Sequence, residues 1–500
     1  MNGKDVIIIG SGLGGLSSGV FLAKAGYRVV VLEQSTQIGG CLQCFKRKGV
    51  KFETGMHFIG SADKGQILYK LMRNLEIEDK VQLSRLDPDG YDVISLCGKK
   101  YKFANGREAF IKQMADYFPD QQTNLERYWD LIENVANSSS VHTLRLEEDN
   151  TVTNLEYQMR SMDEVIDSVI TDPLLAKVLA GNLPLYGAEK GKTPFSMHAF
   201  IMDFYNQSAF RVVGGSDSIA QALQTVLNKY GGRVLLRHKV TEIMCDDQNA
   251  VGVLCENGEV YRADIVISSA HPFRTLEMLG NTPLIRNAYR RRILNIGQTI
   301  GGFAVYFHFK KDTVPYMNYN YYVYNQDTPW DCEHYSCEDW PKGYLYMHFC
   351  HEPNPQYAKA GVVLSYMRME DVNRWQGTQI GKRGADYEAF KKKHAETLIN
   401  SLEKEFPGIR SCIEDYYTST PLTYLDYTGT EAGSMYGVAK DVNKGIGGRV
   451  SHRTRIPNLL LTGQNVNSHG MLGTLVGSII TCSEILDKQQ LYNDISNADL

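Results

Sequence analysis

Residues 5–33, DVIIIGSGLGGLSSGVFLAKAGYRVVVLE, constrain the fold more than any other stretch of the chain. An apolar run at 6–9 suits a buried parallel strand. Gly10-Ser11-Gly12-Leu13-Gly14-Gly15 follows at once. A helical pattern then runs to Gly26, and a second apolar run at 29–32 closes on Glu33. Strand, glycines, helix and acid fall in the register of a βαβ dinucleotide fingerprint. Gly10 permits the tight turn, Gly12 brings backbone up to a pyrophosphate, and Gly15 lets helix and strand touch. The helix start offers free amides and a partial positive charge to phosphate. Glu33 is set to accept hydrogen bonds from a ribose diol, and Leu13, Gly14 and Gln34 flank the same place. The plainer reading, a glycine-rich turn in an ordinary α/β domain, leaves that register unexplained.

Two further blocks point at the same ligand. Residues 39–60 read GGCLQCFKRKGVKFETGMHFIG, and residues 456–486 read IPNLLLTGQNVNSHGMLGTLVGSIITCSEIL. Gly39-Gly40 and Gly55 remove side chains where backbone must pass close to a bound group. An apolar strand at 459–461, a turn at Gly463-Gln464-Asn465 and a helix opening at Gly470 with small residues suit close approach to a flat ligand. These runs resemble the FAD-binding segments of the phytoene desaturase, carotenoid isomerase and retinol saturase flavoproteins, and retinol saturase above all. The resemblance covers the two ends and the centre of the chain and is weak across 71–180 and 310–450. It implies tightly bound FAD touched by Gly10, Gly12, Leu13, Gly14, Gly15, Glu33, Gln34, Gly39, Gly40, Cys41, Gly55, Met56 and His57. It also implies contact from Gly463, Gln464, Asn465, Gly470, Leu472, Gly473 and Thr474. Val240 would set its backbone amide against the adenine. The helix from Gly470 would aim its positive end at the flavin pyrimidine, favouring an anionic reduced ring. Asn465 stands where related chains often carry Asp, which keeps an acceptor and loses a charge.

The implied architecture is α/β: a discontinuous Rossmann-like FAD-binding domain from 1–70, 210–285 and 446–500, with a substrate domain of mixed sheet and helices from 71–209 and 286–445. In the central block, Ile219, Leu223, Val226 and Leu227 have helical spacing. Strands are expected at 234–236, 239–243, 250–255 and 261–267. In the substrate region, helices are expected at 106–135, broken at Pro119, and at 386–406, stopped by Pro407-Gly408. Phe303, Val305, Phe307 and Phe309 alternate with Ala304, Tyr306 and His308, as in a strand. Residues 344–349 and 362–367 read as its partners. The cluster Tyr316, Tyr319, Tyr321, Tyr322 and Tyr324 would wall a long apolar substrate, or would be ordinary cross-strand pairs.

Acid and base candidates are His57, His198 and His469, with Tyr205 behind them, since imidazole titrates near working pH. Cys41 and Cys44 form a CxxC that reads either as a dithiol facing the flavin or as two small residues filling space. Neither a second CxxC nor a His pair follows at zinc-ligand spacing, so no metal is expected. The net charge of −4 implies no nucleic-acid partner. Ten cysteines without small-domain spacing suggest reduced thiols, and no run reaches the length of a membrane span. A cytoplasmic protein is expected, with peripheral membrane contact compatible with an apolar substrate.

The resemblance implies redox chemistry on a carbon–carbon double bond of an apolar polyene or isoprenoid-like molecule, first of all retinol saturase-like reduction. Carotenoid desaturation or isomerisation uses the same parts. FAD amine or porphyrinogen oxidation and a flavin-free, Rab escort-like lipid binder are the rivals. No second complete dinucleotide fingerprint is present, so NAD(P)H is expected only as a transient reductant.

Overall fold

The structure, a computed structural model, describes residues 3–144 and 151–498. Five parallel strands form one sheet in the order Arg233–Leu236, Arg28–Glu33, Asp5–Ile9, Ile265–Ser268, Leu459–Leu461. Val6, Ile8 and Val31 are fully buried in it, as befits strands covered on both faces. The Leu13–Lys24 helix returns across this sheet and is buried almost throughout. Its small residues explain how. Ser17 Oγ lies 2.8 Å from Ser478 Oγ, and the Ser478 hydroxyl donates to the Gly14 carbonyl at 3.2 Å. The Leu13–Lys24 and Gly470–Cys482 helices thus meet through serines and glycines, with hydroxyls satisfying each other where larger side chains would hold the helices apart.

The central block departs from expectation at one point. Residues 261–267 are two strands, not one. Val260–Arg262 completes an antiparallel sheet with Val240–Cys245 and Ala250–Cys255, while Ile265–Ser268 joins the parallel sheet. The switch falls at Asp264, whose N–H donates to the Asp5 carbonyl and whose carboxylate accepts from the Asp5 N–H at 2.7 Å.

A second, seven-stranded sheet runs Ile413–Ser419, Gly301–Phe309, Ala360–Met367, Gly343–His348, Asn320–Tyr324, Asp92–Leu96, Lys99–Phe103. Both faces are apolar because both are covered. Phe303, Val305 and Phe307 pack with Leu398 and Leu402 of the Ala385–Glu405 helix. Ala304, Leu345, Met347 and Leu364 join the larger core shared with the parallel sheet. Arg107–Tyr117, Gln122–Asn137 and Phe195–Gln207 close the region from another side. No helix among the described residues is long and apolar enough to cross a membrane.

Of the two readings open for the tyrosine cluster, the structure favours the one without a substrate wall. Tyr316, Tyr319, Tyr321, Tyr322 and Tyr324 brace the sheet, and none of them walls the large cavity described below. The Tyr324 hydroxyl donates to the Gly181 carbonyl at 2.6 Å, and that of Tyr321 donates to Glu405. Tyr321, Tyr322 and Tyr324 lie on the Asn320–Tyr324 strand, and Tyr316 and Tyr319 lie on the segment that leads into it.

Candidate functional site

One cavity of about 1220 Å³ runs from the amino-terminal glycine turn to the seven-stranded sheet. Its near end is a nucleotide cradle. Gly12 precedes the Leu13–Lys24 helix without a side-chain cap, and no acid sits in the first turn, so the first amides and the helix dipole stay available to an anion. A methyl group on Gly14 would stand 2.6 Å from the Gly463 Cα, and one on Gly15 would stand 2.1 Å from the Gly10 carbonyl oxygen. Gly14 is therefore held to glycine by the carboxy-terminal turn. Gly15 is off the cavity wall and serves the helix–strand contact instead.

Glu33 is buried at the end of its strand. Its Oε2 accepts the Ser11 N–H at 2.8 Å and the Ser11 hydroxyl at 2.6 Å, and its Oε1 accepts the Ser35 N–H at 2.8 Å. Three acceptor positions are thereby used, and a carboxylate has about four. The last is left for a ribose hydroxyl, with Gln34 beside it on the cavity wall. The donor set and the glycine cradle fit FAD: helix amides for the diphosphate, a fixed carboxylate for the ribose, and Val240 on the wall for the adenine.

The far walls of the cradle gather the rest of the expected set. Leu13, Gly39, Gly40, Cys41, Gly55, Met56 and His57 come from the amino-terminal third, and Gly463, Gln464, Asn465, Gly470, Leu472, Gly473 and Thr474 from the carboxy-terminal segment. The Gly470–Cys482 helix opens after His469 without a side-chain cap. Asn465 turns its Oδ1 to the Val438 N–H at 3.1 Å, and a side chain on Gly437 would collide with that oxygen. An Asp oxygen would serve the same N–H, so the Asn keeps this loop in place without the charge. Cys41 faces the cavity, while Cys44 starts a strand with its Sγ 3.6 Å from the Ser216 hydroxyl. Burial pushes the Cys41 thiol up to about 11 and the Cys44 thiol up to about 12. Thiols that stay protonated favour the space-filling reading over an active dithiol.

The acid and base candidates separate. His57, Tyr205 and His469 face the cavity. His57 Nδ1 lies 3.5 Å from Glu53 Oε2 and has no hydrogen-bond partner among the described residues. Arg211 donates to the His57 carbonyl at 3.2 Å and fixes the loop. Burial raises the Glu53 carboxyl above its ordinary value, opposed by His57. The Tyr205 ring packs 4.9 Å from that of Phe58, and its hydroxyl is raised by burial. The His469 ring lies 4.5 Å from that of Tyr436, and burial together with Lys440 pushes it down to about 3. His198 is the exception and corrects the sequence reading. It is fully buried, off the cavity, with Nε2 2.7 Å from the Tyr128 hydroxyl and Nδ1 2.9 Å from that of Tyr186. Both ring nitrogens are spent inside the core.

Sequence reasoning missed the apolar half of the cavity. Met197, Phe200, Ile201 and Phe204 line it from one side of the Phe195–Gln207 helix, and Leu345, Met347 and Leu364 line it from the sheet. The helix stripe at 197, 200, 201 and 204 has the spacing of one helix face and was a usable signal. Tyr424, Tyr436, Lys440 and Arg449, also on the wall, carry no comparable pattern.

Residues 13–380 match the family described as flavin containing amine oxidoreductase. The human all-trans-retinol 13,14-reductase is 30% identical over 99% of this chain and 87% of its own length. Prolycopene isomerase 1, chloroplastic, from an Oncidium hybrid cultivar is 26% identical over 92% of this chain and 80% of its own. These alignments carry the resemblance across the segments where sequence motifs were weak. A solved structure of an oxidoreductase from Methanosarcina mazei overlays with a TM-score of 0.65 at 16% identity, covering 96% of this chain and all of that one. With a cradle built for FAD and a family match over most of its length, the chain belongs to the flavin containing amine oxidoreductases and is an FAD-dependent oxidoreductase.

Proposed function

We propose that this enzyme reduces a conjugated carbon–carbon double bond in an apolar polyene or isoprenoid-like substrate. The observation that carries this reading is the continuity of the nucleotide cradle with an apolar pocket walled by Met197, Phe200, Ile201, Leu345, Met347 and Leu364. The names of the relatives, a retinol 13,14-reductase and a prolycopene isomerase, support the same substrate class. Bound FAD supplies hydride transfer at its ring. The apolar walls orient the polyene and exclude water. His57 is the proton donor to carbon, with Glu53 positioning the imidazole from 3.5 Å away. An external reductant, NAD(P)H on a transient visit among the candidates, recharges the cofactor. On this reading residues 1–70, 210–285 and 446–500 form the FAD-binding domain and 71–209 and 286–445 the substrate domain. The assignment of the parallel strands to the first set and of the seven-stranded sheet to the second supports that division.

The charges on the cavity wall argue against an amine substrate. Asp426 is paired with Arg383, and Glu277 is paired with Arg274 at 2.8 Å. Among the described residues, no wall carboxylate is left open to an ammonium group except Glu33, which the nucleotide turn already engages. The test is anaerobic reduction of the purified flavoprotein, followed by reoxidation with retinoids, carotenoids and other conjugated alkenes. Reoxidation by a conjugated alkene faster than by buffer is expected. The same rate with every alkene as with buffer sinks the reading.

A further inference from the structure

We infer that the substrate of this pocket carries a carboxylate, held on the cavity wall by Lys440 and Arg449. The inference rests on the apolar-substrate reading above and narrows it to a polyene or isoprenoid-like acid. Among the described residues, the other basic side chains on the wall have acidic partners: Lys239 pairs with Glu256, and Arg274 with Glu277 and Glu431. Lys440 and Arg449 pair with no carboxylate among the described residues. Arg449 donates to the Gln158 side chain and, at 3.4 Å, to the Gln158 carbonyl, which uses part of a five-donor guanidinium and none of its charge. Both side chains are half-buried.

Two like charges held beside an apolar pocket are costly unless an anion joins them. Burial holds Lys440 down at about 8, reinforced by Arg449, and burial also lowers Arg449; no acid among the described residues offsets either. Lys440 is still mostly cationic at neutral pH. A lysine point charge and a planar guanidinium suit a carboxylate, which offers two oxygens to charge-assisted donors. Met197 and Phe200 line the same cavity, so it also offers apolar wall to the chain behind the acid.

The experiment uses the oxidised holoenzyme and two probes with the same apolar body, retinoic acid and methyl retinoate, with binding read from the flavin absorbance. The acid is expected to bind about 10- to 100-fold tighter than the ester, the worth of one or two charge-assisted bonds. Lys440→Gln and Arg449→Gln are each expected to erase about tenfold of that preference while leaving ester affinity and flavin content unchanged. Equal binding of acid and ester to the unmodified enzyme overturns the inference on its own, whether or not the variants fold. A shift in flavin midpoint potential in the variants, with the acid preference intact, also overturns it, because the cations would then serve the flavin ring. Binding of neither probe sinks the polyene reading and this inference together. An acid preference without reoxidation of reduced flavin by any conjugated alkene sinks the reduction alone and leaves the carboxylate site standing.

Discussion

Two histidines that look alike in the sequence have opposite fates. His57 stands on the cavity wall beside Glu53, while His198 is locked between two tyrosine hydroxyls. His57→Gln is expected to slow alkene-driven flavin reoxidation by about 10²- to 10⁴-fold with little change in melting temperature. His198→Gln is expected to do the reverse, costing about 1–3 kcal/mol of stability through unpaired buried hydroxyls while the reoxidation rate of the folded fraction holds. Stopped-flow absorbance and thermal unfolding of both variants separate the two. Gly14→Ala forces a methyl group against the Gly463 backbone. About 1–3 kcal/mol of destabilisation and loss of bound flavin are expected, read as the visible absorbance of the purified protein. The glycines of the cradle were legible because phosphate binding demands a fixed spacing along one short segment. The fate of His198 was not, because it turns on helix phase: 197, 200, 201 and 204 face the cavity and 198 points away.

Elements were easier to read than the faces they present. The expected helix at 386–406 is Ala385–Glu405, and the expected break at Pro119 separates Arg107–Tyr117 from Gln122–Asn137. Gly301–Phe309 is a strand as its alternation predicts, yet the alternation does not say which face meets the ligand, since a helix covers one side and the cavity core the other. The strand expected at 261–267 hid a change of sheet, because Ala263-Asp264 carries no turn signal and the switch is set by contacts with Asp5. One short helix matters to the pocket. Pro421–Thr428 brings Tyr424 to the cavity wall and is started by a capping box, in which the Thr420 hydroxyl accepts the Leu422 N–H and the Thr423 hydroxyl accepts the Thr420 N–H. Thr420 also meets the Tyr387 hydroxyl at 2.9 Å. Thr420→Ala is expected to cost about 1 kcal/mol and to weaken substrate binding more than it slows the chemical step. Melting curves and a comparison of KM with kcat check both parts.

At the scale of the molecule, buried imidazoles set the acid limit. His198, His271 and His348 are fully or nearly fully buried, and burial pushes them down to about 3, 4 and 3. An unfolded chain binds protons on these residues below its ordinary value of 6.5, and the folded one does not. Their contribution to stability is therefore complete above that value and drains away as pH falls through the window toward 3. Each costs up to about 1.4 kcal/mol per pH unit inside it. Unfolding by urea at a series of pH values should show the midpoint dropping on the acid side, and a flat midpoint down to about pH 4 would contradict this. The parallel sheet has a temporal consequence of its own. Its middle strand, Asp5–Ile9, is made long before its neighbour at Ile265–Ser268, and Leu459–Leu461, which pairs with that neighbour, is made later again. The turn at Gly463 that backs the amino-terminal glycines is made later still. Nascent chains must therefore wait, half-dressed and with apolar strands showing, until the segment around Gly463 has been made before the cofactor has a floor to rest on.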